Sequence, residues 1–277
     1  MSSEALRAAW GESAAALEID CVDETGSTNA DLLERCRNSL ERRARLLVAE
    51  RQTAGRGRRG RPWQSTPGAS LTFSLAWPLA AGDLSGLSLA LGVAVAEAID
   101  PDASAHARVA LKWPNDLWLV DAVGEGRKLG GILIETTPIG ERRVAVVGIG
   151  LNVLEQRVAD AASGVAWLRE IDPVATPEST LLRLVPNLMR ALATFDAEGF
   201  AAFAARFAAR DLLRGRAVCC AGSGPARIDG VAEGVSRSGE LLVRTARGVQ
   251  AVGSGEVSAR LAEDPSPAMG RSAGAPC

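Results

Sequence analysis

Between residues 108 and 152 the chain is partitioned in a way that few folds can accept. Arg108 to Trp113, Leu117 to Val120, Lys128 to Thr136 and Arg143 to Leu151 are strand-like runs, separated only by short segments that include Pro114 and a Gly-Glu-Gly turn at 124–126. Separated by spacers this short, the runs look like consecutive antiparallel strands. Two further strands precede them. Arg45 to Glu50 reads as a short buried strand, and Leu71, Phe73, Leu75 and Trp77 alternate with Thr72, Ser74 and Ala76 at the period of a half-buried one. Helical spacing appears after the Ser27-Thr28-Asn29 step, where Leu32, Leu33 and Cys36 share a face, and again over 84–99. Residues 178–213 form a helical block in which Pro186 predicts a break or a first-turn position. After Arg214, apolar pieces punctuated by glycine fit a small barrel of about five strands. The Pro/Gly/Ser/Ala-rich end, AEDPSPAMGRSAGAPC, is expected to be disordered. The fold class is therefore α+β.

Length and composition narrow the function. A chain of 277 residues suits one large domain and a small one. It has no uninterrupted apolar run of about 18 residues, which argues against a membrane span. The N-terminal MSSEALRAAWGESAAALEID lacks the basic region and apolar stretch of a secretion signal. Cys21, Cys36, Cys219, Cys220 and Cys277 contain no CxxC pair, and His106 is the single histidine. A structural zinc site is not expected from that set, and His106, in a polar DASAHAR stretch, reads as a solvated loop residue. Scattered cysteines suit a reducing cytoplasm. With a net charge of -2, any polyanion must be held by a local cluster.

That cluster is QTAGRGRRGRPW at 52–63. Gly55, Gly57 and Gly60 let backbone approach a ligand, and Arg56, Arg58, Arg59 and Arg61 bring fixed positive charge, a combination that suits phosphate. It is neither a Walker loop nor a dinucleotide fingerprint. A basic nucleic-acid patch or a solvated turn explains the loop taken alone. In KWPND at 112–116, Pro114 aims Asn115 and Asp116 off a strand end. Lys128 opens the next strand and is followed by Gly130 and Gly131, which leave space for a flat ligand. A lysine so placed can neutralise charge as a carboxylate attacks a phosphate. An ordinary hairpin with a surface lysine is the alternative. In VVGIGLNV at 146–153, Gly148 and Gly150 again free one face and Asn152 sits at the strand end, where it could meet a phosphate or a magnesium-bound water.

Taken in order, STN at 27–29, QTAGRGRRGRPW at 52–63, KWPND at 112–116, KLGGILIE at 128–135 and GIGLNV at 148–153 closely resemble the motifs of biotin protein ligases, over about residues 20 to 260. The resemblance implies a mixed-sheet catalytic domain of the biotin/lipoate ligase type over 1–213, a small C-terminal SH3-like β-barrel over 214–262, and a tail at 263–277. It implies that Ser27, Thr28, Asn29 and Gln52 bind the ureido head of biotin. Arg56, Gly57 and Arg58 would close over the carboxylate end, with Lys128, Gly130 and Gly131 completing the biotin site. ATP and the adenylate would fall to Arg58, Arg61, Trp63, Asn115, Lys128 and Asn152. Lys128, Arg58 and Asp116 are the catalytic candidates, with Asp116 either a base for the incoming amine or a structural acceptor. Mg2+ would arrive with ATP, without direct protein ligands.

The implied reaction joins biotin to ATP as biotinyl-AMP and passes the acyl group to a lysine of a biotin carboxyl carrier protein. A lipoate or octanoate ligase of the same architecture, and a basic-loop nucleic-acid-binding protein, are the rivals. Some family members carry an N-terminal winged helix-turn-helix of about sixty residues. Only about twenty residues precede the catalytic block here, which with a pI near 5.7 implies a short form without specific DNA binding. A homodimer is left open, and a cytoplasmic, membrane-free setting is expected.

Overall fold

The computed structural model of the protein describes residues 1–38, 43–80, 82–101, 107–122, 124–139, 142–156, 158, 164–221, 227–254 and 258–261. His106 and the tail lie outside these. The N-terminal part runs α1 (Ser3–Trp10), β1 (Leu17–Thr25), α2 (Thr28–Arg37), β2 (Ala44–Gln52), β3 (Ser70–Leu79) and α3 (Leu87–Ile99). It continues with β4 (Val109–Lys112), β5 (Asp116–Val120), β6 (Gly126–Ile139), β7 (Arg142–Asn152), α4 (Pro177–Glu198) and α5 (Ala204–Ala208). These strands form one seven-stranded sheet in the order β1-β2-β3-β7-β6-β5-β4. β1 and β2 pair in parallel, as strands joined through a helix can, and every other pair is antiparallel. The sheet is mixed, and β4 to β7 are the consecutive antiparallel strands that their short spacers demand.

Both faces of this sheet are covered. Leu71, Phe73 and Leu75 of β3, Ile132 of β6 and Ile149 of β7 belong to the main core with α3 and α4, while Leu32, Leu33 and Cys36 of α2 pack on Leu47, Ala76 and Val146 from the other side. The alternation in β3 predicted a half-buried strand. The structure buries both of its faces, with Thr72 and Ser74 at 1% and 0% exposure. Polar groups can sit there because they are bonded: Thr72 donates to the Ala49 carbonyl at 2.9 Å, and Ser74 meets α2.

Two helix boundaries differ from the sequence reading. α2 begins inside the Ser-Thr-Asn step, since the Ser27 hydroxyl accepts from the Ala30 amide as the N-cap, placing Thr28 and Asn29 in the first turn. α4 runs unbroken through Pro186. Pro186 has no N–H to offer the Leu182 carbonyl four residues back, and the Trp10 indole of α1 donates to that oxygen at 3.1 Å. The N-terminal helix thus supplies the bond that the proline withholds. Neither α1 nor β1 was legible beforehand.

The C-terminal strands β8 (Ala217–Ala221), β9 (Arg227–Val235), β10 (Leu241–Thr245), β11 (Gly248–Val252) and β12 (Ser258–Leu261) form an antiparallel sheet in the order β11-β10-β9-β8-β12, the expected five. It is fastened to the larger sheet by the fully buried Trp113, whose indole donates to the Gly239 carbonyl at 3.0 Å. Gly239, at φ 80°, approaches Gly86 so closely that a Cβ would lie 2.7 Å from the Gly86 Cα. Among the described residues, no helix is long and apolar enough to cross a membrane.

Candidate active site

One face of the seven-stranded sheet carries a floor of glycines. Asp116 of β5, Gly131 of β6, Gly150 of β7 and Thr72 of β3 are successive cross-strand partners, and two residues along lies the row Leu133, Gly148, Ser74. The period of two puts both rows on the same face. Protein side chains fill part of the space the glycines leave. A Cβ at Gly148 would come within 2.4 Å of Asn29 Oδ1, and one at Gly150 within 2.3 Å of the Trp63 ring.

Beside this floor is a network of polar side chains from α2, β2, β3 and β6. The Gln52 side-chain oxygen accepts from the Thr28 amide at 2.8 Å and from its hydroxyl at 3.1 Å. The Ser74 hydroxyl lies 2.7 Å from Thr28 Oγ1 and 2.6 Å from Asn29 Oδ1. Asn29 Nδ2 donates to Glu135 at 2.9 Å and to the Leu133 carbonyl at 3.4 Å. Ser27, Thr28 and Asn29 are 5%, 3% and 4% exposed, so this is a buried wall rather than a surface cluster. Such a wall suits a neutral polar ligand group that can match its donors and acceptors.

The β5 side is charged. Lys128 Nζ donates to Asp116 Oδ1 at 2.7 Å, directly over Gly131, whose added Cβ would touch both side chains. The Lys128 backbone is clamped as well: its carbonyl accepts from the Ala166 amide at 2.9 Å and from the buried Asn152 amide at 3.5 Å. Asn152 is in turn held by Gln156 at 3.1 Å. Asn115 donates to the Ile132 carbonyl at 2.8 Å, which fixes the KWPND turn against β6.

The Gly/Arg loop folds back on itself. Backbone bonds from Gly57 to Arg61, from Arg61 to Arg58 and from Trp63 to Gly55 close it into a narrow hairpin. Arg58 turns inward, donating to Asn115 Oδ1 at 3.4 Å and to the Ser254 carbonyl of the C-terminal unit. Burial pulls the Arg58 guanidinium below its ordinary pKa; the Asp116 carboxylate opposes that shift and Arg59 adds to it. Between this arginine, the start of α3 and β6 is a cavity of about 620 Å³, with Arg58, Leu87, Ser88, Asn115, Leu133 and Ser254 in its lining.

The structure therefore brings together Thr28, Asn29 and Gln52 at one end, and Arg58, Asn115, Asp116, Lys128 and Gly131 at the other. Arg56 and Arg61 are exposed on the loop. Gly130 faces Leu151, toward the core and away from Gly131's side of the strand. Ser74, Glu135 and Ser254 were not singled out by sequence. Ser74 and Glu135 carried a signal, one as a hydroxyl in an apolar strand and the other as the end of the KLGGILIE run, whereas Ser254 lies in a polar loop with none. Among the described residues, no three histidine, cysteine or carboxylate groups gather to hold a metal.

Comparison with known proteins gives the family. The Biotin/lipoate A/B protein ligase family matches residues 21–152. The bifunctional ligase/repressor BirA of Salmonella typhimurium is 36% identical over 86% of this chain and 72% of its own length. The biotin–[acetyl-CoA-carboxylase] ligase of Mycobacterium tuberculosis is 34% identical over 87% of this chain and 88% of its own. Among solved structures, the Aquifex aeolicus biotin protein ligase in complex with biotin and ATP aligns with a TM-score of 0.72 at 30% identity, covering 88% of this chain and 99% of that one. With relatives 36% and 34% identical matched along 72% and 88% of their own length, and a solved structure aligned over 99% of its own, the chain belongs to the biotin/lipoate A/B protein ligase family, among its biotin protein ligases.

Proposed function

We propose that this protein activates biotin with ATP as biotinyl-AMP and transfers the acyl group to a lysine of a biotin carboxyl carrier protein. The observation that carries the reading is the pairing of two unlike ends on one sheet face. The Thr28–Gln52 wall, from α2 and the end of β2, rests on Ser74 of β3, and Lys128 is on β6, two strand spacings or about 10 Å from β3 across the sheet. A neutral bicyclic head joined to a short acyl carboxylate spans that distance with its head in the polar wall and its carboxylate beside the lysine.

In the first step the biotin carboxylate attacks the α-phosphorus of ATP and pyrophosphate leaves. Two anions must approach, so the catalytic need is a fixed cation between them. Lys128 meets that need because strand β6, the Asn152 clamp and Gly131 hold its amine over the floor. Arg58 reaches in from the loop to cover the phosphate, while Trp63, seated on Gly150, borders the nucleotide side with Asn115. In the second step the ε-amine of the carrier lysine attacks the mixed anhydride and AMP leaves. Asp116, released when Lys128 turns to the phosphate, orients that amine. No covalent bond to the enzyme forms.

A single carboxylate beside Lys128 fits a magnesium ion that comes in on the ATP phosphates and keeps most of its waters. When bound, Mg2+ would supply charge neutralisation on those phosphates, with Asp116 the nearest candidate to meet it. Residues 1–213 form the catalytic unit in this reading and 214–262 an SH3-like barrel whose Ser254 braces Arg58. Among the described residues, Cys21, Cys36 and Cys220 form no disulfide, which supports a reducing, cytoplasmic setting.

The test is mass-spectrometric detection of acyl-AMP after mixing the protein with Mg-ATP and, separately, biotin, lipoate or octanoate. Biotinyl-AMP alone is the expected product. An adenylate of lipoate or octanoate in its place would move the protein to the sister activity, and none from any acid would overturn the ligase reading.

A further inference from the structure

Glu135 closes the KLGGILIE run and has no part in the chemistry above, yet its carboxylate accepts from Asn29 Nδ2 at 2.9 Å. Ser74 is fully buried in the middle of β3 and touches both Thr28 and Asn29. Neither residue reaches the reacting atoms. We infer that Glu135 and Ser74, acting through Asn29, are positioning residues that fix which pocket groups donate and which accept, and so set the specificity for an acid with a cyclic urea head. This rests on the biotin reading.

The argument follows the protons. A carboxylate can only accept, so Asn29 must turn Nδ2 toward Glu135, and the Leu133 carbonyl takes its second amide hydrogen. Both donors of Asn29 are then used within the protein and its oxygen faces Ser74. The Ser74 hydroxyl has one proton, and Asn29 Oδ1 at 2.6 Å receives it. The Thr28 hydroxyl is left with two inward acceptors, Ser74 Oγ at 2.7 Å and Gln52 Oε1 at 3.1 Å. Whichever takes its proton, Thr28 Oγ1 offers lone pairs to a ligand. Gln52 Oε1 is also pinned by the Thr28 amide at 2.8 Å, which turns Nε2 the other way, beneath the Gly/Arg loop, where a Cβ at Gly55 would lie 3.2 Å from it.

The wall therefore presents an acceptor at Thr28 and a donor at Gln52. A cyclic urea carries the complement, an N–H beside a C=O. A dithiolane ring or an alkyl end carries neither, so in this pocket it would leave both groups desolvated and unpaired, a penalty that discriminates more strongly than a difference of shape. Reversing the Asn29 amide would reverse the relay, and Glu135, with the longer bond to the Leu133 carbonyl beside it, prevents it.

The experiment titrates biotin calorimetrically into the wild type and the E135L, E135Q and S74A variants, with the KM for ATP and the melting temperature measured alongside. Glu135 is exposed, so its variants fold without a core change. E135L and S74A are expected to weaken biotin about tenfold or more, and to narrow the preference for biotin over octanoate, while the KM for ATP stays within about threefold. E135Q should hold biotin within about threefold of wild type, because its amide oxygen can still accept from Asn29. Wild-type affinity in E135L, or an equal loss for biotin and ATP together with a lower melting temperature, overturns the inference alone. A wild type that binds no biotin overturns the functional reading and this inference with it.

Discussion

Gly150→Ala isolates the part of the site that the glycine floor protects. Gly150 has no left-handed backbone, so alanine is tolerated conformationally and the whole effect is steric. The new methyl carbon would sit 2.3 Å from Trp63 Cε2 and 2.5 Å from Cζ2, where ordinary contact begins at 3.4 Å, so the indole must retreat by about 1 Å. Trp63 is half-buried and lies at the end of the Gly/Arg hairpin, bonded through its amide to the Gly55 carbonyl at 2.9 Å. The ring can therefore move outward, and the strain is relieved in the loop. Overpacking a rigid core costs about 1–3 kcal/mol, and the stability change here should fall at or below the lower end of that range. Displacing a group that positions a reactant by about 1 Å can cost up to a hundredfold in rate. We expect kcat/KM for ATP to fall by about ten- to a hundredfold on that basis, with the KM for biotin within about threefold.

The control is its neighbour two residues away. Alanine at 148 would meet Asn29 Oδ1 at 2.4 Å instead, at the head-group end. Gly148→Ala should raise the KM for biotin and spare that for ATP. The assay is continuous pyrophosphate release with one substrate varied at saturation of the other, and thermal melts exclude global unfolding. Two variants that impair both substrates equally, or a Gly150→Ala enzyme with wild-type kinetics, would refute the assignment of two ends to one sheet face.

Lys128→Ala should slow biotin-dependent pyrophosphate release about a hundred- to a thousandfold, the range for losing one electrostatic partner of a transition state; a rate near wild type sinks the catalytic assignment. Trp10→Phe removes the donor to the Leu182 carbonyl and should cost about 1–3 kcal/mol in chemical denaturation, and less in a Pro186→Ala background, where the restored N–H satisfies that oxygen; equal costs in both backgrounds refute the exchange. Burial raises the Asp211 carboxyl above its ordinary value near 3.8, and its Oδ2 has no partner. The protonated form is thus favoured on folding: that stability is present below the unfolded value and lost as pH rises through the raised one. Asp211→Asn should raise the melting temperature at pH 7 and lose its advantage as pH falls toward 4; a gain that is equal at both pH values disproves the account.

The sequence exposed the sheet because four strands with short spacers have one arrangement open to them, and it exposed the site because glycine pairs and a proline-bent KWPND turn have local meaning. What it concealed depended on partners distant in the chain. Thr72 and Ser74 read as a solvent face until α2 covers them, and nothing local says that it will. Pro186 reads as a break or a first-turn position because the donor to the Leu182 carbonyl lies 172 residues from it, on Trp10. Gly148 and Gly150 announced space, but Asn29 and Trp63, which occupy part of it, come from a helix and a loop on other segments. Gly130 and Gly131 look alike in sequence, and only the register with β5 and β7 separates the residue that faces the site from the one that faces Leu151.

The Lys128–Asp116 pair bears on the order of events. Lys128 is 37% and Asp116 24% exposed, so water still reaches the ion pair, and pairs of this kind contribute little, about 0–1 kcal/mol. Breaking it is cheap. An incoming phosphate, with more charge and more acceptor oxygens than a carboxylate, can take the lysine from Asp116 at little cost, while the backbone clamp at Ala166 and Asn152 keeps the amine's origin fixed. Until then the aspartate keeps the lysine over the floor and screens its charge. In the proposed reaction the same carboxylate, released from Lys128, then stands beside the new anhydride, when a nucleophilic amine needs an acceptor for its hydrogen. One weak ion pair can therefore hold the catalytic cation before the first step and ready the acceptor for the second.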